Sequence, residues 1–72
     1  MTNLNKSERF RKVAERRVRA VLRYLRLVGN CGNRGNYAYT SEEVRKIFYE
    51  IDQAMRAAKA KFHFPKDKEF KL

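Results

Sequence analysis

Two long stretches of the chain return an apolar residue every three or four positions, and a stretch without any such period separates them. In the first, Phe10, Ala14, Val18, Val21, Leu25 and Val28 follow at spacings of four, four, three, four and three. Those spacings set them on one face of a 3.6-residue helix. Val13, Ala20, Tyr24 and Leu27 fall beside this stripe and widen the apolar surface beyond what one facing helix covers. Ser7 as N-cap, Glu8 in the first turn and Gly29 available for a left-handed C-terminal cap predict a helix over residues 7–28.

The second stretch opens on Thr40-Ser41-Glu42-Glu43, a capping box with Thr40 as N-cap and Glu43 reaching back to its N–H. Tyr39 and Val44 flank the cap at the positions of a hydrophobic staple. Val44, Phe48, Ile51, Met55, Ala58 and Phe62 then repeat at four, three, four, three and four, with Ile47 and Ala54 alongside, and predict a helix over residues 40–62. Glu42 and Glu43 suit the positive end of its dipole, Lys59 and Lys61 the negative end.

Residues 29–39 between the helices carry Gly29, Gly32 and Gly35 with Asn30, Asn33 and Asn36, and read as a loop. Helix connections in bundles usually run about two to eight residues, so this one is long enough to serve a purpose of its own. Residues 63–72 form a tail in which Pro65 stops the helix. Phe64, Phe70 and Leu72 either pack back on the core or form a short docking segment. The pattern predicts an all-α chain, one domain over residues 1–72, folded as an antiparallel two-helix hairpin.

A chain of 72 residues buries only roughly 60% of the surface its unfolded form exposes, so its own core is marginal. Cys31 is the only cysteine, which excludes an intrachain disulfide, and Cys31 with His63 cannot complete a four-ligand zinc site. Oligomerisation is the remaining stabiliser, and pairing with a second copy into a four-helix bundle is the expectation. No metal and no cofactor is expected. With one thiol, no apolar h-region and no apolar run near the length of a membrane span, the expected compartment is the cytoplasm, away from membranes.

Charge adds the next constraint. The net charge is +10, from 18 Lys and Arg against 8 Asp and Glu. Residues 6–26 hold nine basic residues against Glu8 and Glu15, a net of +7. Lys12, Arg16, Arg19, Arg23 and Arg26 stand four, three, four and three apart, opposite Val18, Val21 and Leu25. At 1.5 Å per residue this stripe runs roughly 21 Å. A solvated face chosen for helix propensity and solubility is the plainer alternative. Such a face would mix signs, because four like-charged neighbour pairs cost on the order of 1–2 kcal/mol. A polyanion removes that repulsion, and arginine suits bidentate contacts to phosphate.

The remaining candidates are weaker. Gly29-x-x-Gly32-x-x-Gly35 lacks the strand and the Gly-Lys-Ser/Thr that a phosphate loop requires. Asn33, Arg34, Asn36 and Tyr37 could contact a partner through the loop, and Arg34, Tyr37 and Tyr39 could stack on unpaired bases. Tyr37 folded over the open end of the helix pair, and asparagines serving loop backbone groups, are the structural alternatives. Tyr49, between Arg45 and Arg56, belongs to a binding surface or is an ordinary exposed aromatic. One His, one Cys and carboxylates at a helix start offer no nucleophile–base pair, so no catalytic residue is assigned and an enzyme is not expected.

The run Arg-Leu-Val-Gly-Asn-Cys-Gly-Asn-Arg-Gly-Asn-Tyr-Ala-Tyr-Thr-Ser-Glu-Glu, Arg26 to Glu43, resembles the central segment of short uncharacterised bacterial proteins. Their pattern is similar to Leu-(Ile/Val)-Gly-Asn-x-Ser-Asn-Arg-Ser-Asn-Tyr-x-Tyr-Thr, and Gly32 and Gly35 stand here where serines stand there. The resemblance covers about a quarter of the chain and implies no activity. It implies that Gly29, Asn30, Asn33, Arg34, Asn36, Tyr37 and Tyr39 act together.

The sequence thus leads to a small basic protein that binds nucleic acid, RNA or DNA, through the outer face of its first helix. Contacts are expected mainly to phosphates, because that face carries few side chains able to read bases. The competing reading is a protein-interaction module, a regulator or inhibitor, gripping an acidic protein surface with the loop and the basic face.

Overall fold

A computed structural model of the protein describes residues 5–64, and they contain two helices and no strand. Helix α1 spans Lys6–Asn30 and helix α2 spans Ser41–Lys59. The chain divides into two compact units, one running to Ala38 and one beginning at Tyr39. Each unit is one helix with its flanking turns. The expectations for Pro65, Phe70 and Leu72 lie outside the described residues.

The N-cap of α1 lies two residues before the expected one. Asn5 is the N-cap: its Oδ1 accepts from the Glu8 N–H at 2.7 Å, and the Asn5 N–H donates to Glu8 Oε1 at 3.2 Å. This reciprocal box satisfies two backbone donors, whereas a lone Ser7 cap satisfies one. Ser7 lies inside the helix, its Oγ accepting from Arg11 Nη1 at 3.4 Å.

The C-terminal end also differs from expectation. Gly29 lies within the helix, and none of the three glycines has a positive φ. The carbonyls of Val28, Gly29 and Asn30 accept from Cys31, Gly32 and Asn33 at 3.0, 3.0 and 3.2 Å. Three consecutive bonds to the third residue on wind the helix into a tighter turn, so its last acceptors are satisfied without a left-handed residue.

In the second unit, Thr40 is the N-cap, with Thr40 N–H on Glu43 Oε1 at 2.8 Å and Glu43 N–H on Thr40 Oγ1 at 3.0 Å. Tyr39 and Val44, the expected staple positions, are both half-buried. Helix α2 stops at Lys59, three residues short of the expected end, because Lys61 and Phe62 bond to Ala58 and Lys59 in the same tightened fashion. Phe62, the last member of the apolar series, therefore stands beyond the helix.

No described residue is fully buried. On α1 the most enclosed are Val13, Ala14, Ala20, Leu25 and Val28, all half-buried, while Val18 and Val21 in the same stripe are 52% and 54% exposed. The apolar stripes are formed as the periodicity predicts, yet within the described residues of one chain they enclose no core.

Candidate nucleic-acid interface

The basic stripe depends on one uninterrupted helix. Helix α1 runs for 25 residues with no proline and with both ends hydrogen-bonded, so spacings of three and four hold one side of it from Lys12 to Arg26. All five stripe residues are exposed. Arg16, Arg19, Arg23 and Arg26 line a single shallow hollow together with Ala20 and Leu22. Lys12 extends the row one turn toward the N-terminus but does not line that hollow.

Four guanidiniums around one depression make a surface of one sign carrying up to about twenty N–H donors. The Arg23 guanidinium is also seated over the Tyr24 ring, with Cζ 5.0 Å from the centroid. Adjacent helical residues point about 100° apart, so this contact joins the stripe to the edge of the apolar face. An arginine held against an aromatic ring has fewer rotamers to lose when it meets an anion.

Helix α2 offers a contrast. Its hollow, where Tyr49 lies, is lined by Glu42, Arg45, Lys46 and Glu50, and Arg56 is not part of it. Two carboxylates against two cations leave no single-signed surface, so Tyr49 sits on an ordinary mixed face.

In the loop, Asn33 holds its own neighbours. Its Oδ1 accepts from the Gly35 N–H at 2.9 Å, and its carbonyl accepts from the Asn36 and Tyr37 N–H groups at 3.1 and 3.0 Å. Residues 33–37 thus form a turn organised by one side chain, which commits Asn33 Oδ1 to the fold. Arg34, Asn36 and Tyr37 are exposed around it. Cys31, also exposed, directs its Sγ to the Leu27 carbonyl at 3.7 Å.

Two features escaped the sequence reading. Asn5-x-x-Glu8 has the spacing of a capping box with asparagine in place of Ser or Thr, and that spacing was the available signal. Leu22, outside the main apolar series, lines the hollow with the arginines.

No helix among the described residues is long and apolar enough to cross a membrane. Comparison with protein-family models, with curated proteins and with solved structures finds no match to this chain.

Proposed function

We propose that this protein is a non-catalytic, nucleic-acid-binding protein that grips phosphates with the outer face of α1. The observation that carries the reading is the hollow lined by Arg16, Arg19, Arg23 and Arg26, with Lys12 in line beyond it. Repeated like charge at one-turn spacing destabilises the free helix, and a polyphosphate reverses the sign of that cost.

The same reading includes the rest of the architecture. Helices α1 and α2 pair as an antiparallel hairpin through the Val18 and Ile51 stripes, and two chains associate into a four-helix bundle in the cytoplasm. This is supported by apolar stripes on both helices and by the absence of any fully buried residue among those described in a single chain. A fold that leaves Val18, Val21 and Met55 half exposed gains most by closing those faces against further protein.

Direct binding tests it. The purified chain and an Arg16→Gln/Arg19→Gln/Arg23→Gln variant are titrated with mixed-sequence single-stranded RNA and duplex DNA at moderate salt. Binding by the parent and its loss in the variant supports the reading. Equal binding by both, or binding by neither, overturns it and leaves the charge to serve solubility or a protein partner.

A further inference from the structure

The basic stripe of α1 is one row wide, and its width bears on the form of nucleic acid it suits. At about 100° per residue, its five members lie within about 40° of their common centre. Between Lys12 and Arg26 the only other cation, Arg17, lies about 140° round the helix. The flanks of the row carry other chemistry. Exposed Glu15 and Leu22 lie about 60° and 80° to one side, and half-buried Ala20 about 80° to the other.

A duplex asks for a different arrangement. An α-helix about 10–12 Å across fills a major groove about 12 Å wide, so its flanks meet phosphates and its leading ridge meets base edges. Docked in that way, α1 would turn Glu15 and Leu22 toward the phosphates of one strand and Ala20 toward those of the other. Outside the groove, a duplex strand winds once round the axis in about 34–36 Å, so a straight row of roughly 21 Å loses it within a few phosphates. A single strand can straighten along the row.

The hollow adds a second requirement. Leu22 lines it beside the four arginines and is 52% exposed, and a phosphate gains nothing from an apolar side chain. A base or a sugar does, and a single strand leaves its base faces open where a duplex keeps them stacked inside. We infer that the hollow takes single-stranded nucleic acid, with phosphates along the row from Lys12 to Arg26 and bases turned to the Leu22 side. The inference rests on the phosphate-binding reading and names the form of its ligand. Charge alone gives the opposite order, because duplex DNA has the denser phosphates and releases more counterions per contact. A preference for the single strand is therefore a matter of shape and base contact, not of net charge.

Fluorescence anisotropy with the full chain at low salt compares three probes of equal length. They are a mixed-sequence single strand of DNA, the same strand annealed to its complement, and an abasic strand with the same phosphates. The single strand should bind about threefold or more tighter than the abasic strand, the gain from covering part of one leucine, and tighter than the duplex by at least the same factor. Leu22→Gln keeps helix propensity nearly constant, so it should remove the advantage over the abasic strand and leave the abasic affinity unchanged. A duplex or an abasic strand bound as tightly as the single strand overturns the inference, and so does a Leu22→Gln variant that keeps the full advantage. The Arg16→Gln/Arg19→Gln/Arg23→Gln variant separates this failure from that of the underlying reading. If the parent binds the duplex best and the variant loses all three probes, phosphate binding stands and the single-strand inference falls. If the parent binds no probe, both fall.

Discussion

The Arg23 guanidinium stands over the Tyr24 ring at 5.0 Å from Cζ to centroid, and this contact couples the charged side of α1 to its apolar side. A cation over an exposed ring gains about 0.5–1 kcal/mol, a factor of roughly two to five in an equilibrium constant. Tyr24→Phe keeps the ring and should leave nucleic-acid affinity unchanged. Tyr24→Leu keeps apolar bulk without the ring face and should weaken binding by that factor. Equal affinities for both variants would show that the ring does not order Arg23 for binding.

The two capping boxes give a prediction about stability. Thr40→Ala removes the Oγ1 acceptor of the Glu43 N–H and should cost about 1 kcal/mol. Asn5→Ala removes the corresponding acceptor of the Glu8 N–H and should cost a similar amount. Far-ultraviolet circular dichroism melts of the full chain read both losses. An unchanged midpoint in Asn5→Ala would return the start of α1 to Ser7.

What could be read from the sequence was what is decided locally. The three-and-four spacing of Val18, Val21 and Leu25, the Thr40–Glu43 box and the stripe from Lys12 to Arg26 each lie within a few turns of one helix, and the helices form as those patterns require. The helix ends were less legible. Whether Gly29 leaves the helix through a left-handed residue or α1 tightens toward Asn33 depends on which amides reach the last carbonyls, and both routes suit a Gly-Asn sequence. Phe62 belongs to the apolar period of α2 but lies past its end for the same reason.

Gly29 and Gly35 should respond to alanine in opposite directions. At Gly29 the backbone is helical and an added Cβ meets nothing within 4 Å. Gly29→Ala should therefore stabilise α1 by up to about 1 kcal/mol through helix propensity. At Gly35 an added Cβ comes within 3.1 Å of Asn33 Oδ1, the acceptor of the Gly35 N–H. Gly35→Ala should loosen that turn and speed proteolysis at residues 33–37, with no gain in melting temperature. A destabilised Gly29→Ala would show that something packs against that glycine.

The salt dependence of binding counts the phosphates that the stripe engages. If Lys12, Arg16, Arg19, Arg23 and Arg26 each neutralise one phosphate, log K should fall against log salt with a slope of roughly −4.5 on duplex DNA and −3.5 on a single strand. A dimer that engages both stripes would be steeper. The Arg16→Gln/Arg19→Gln/Arg23→Gln variant removes three contacts per chain, so its slope should flatten by about 2.7 per chain on duplex DNA. Glutamine has nearly the helix propensity of arginine, so α1 itself should persist and circular dichroism should show it. A shallow slope in the parent, near −1, would mean that the stripe is not the contact surface. Exposed Arg34 and Tyr37 in the loop would then be the next residues to replace.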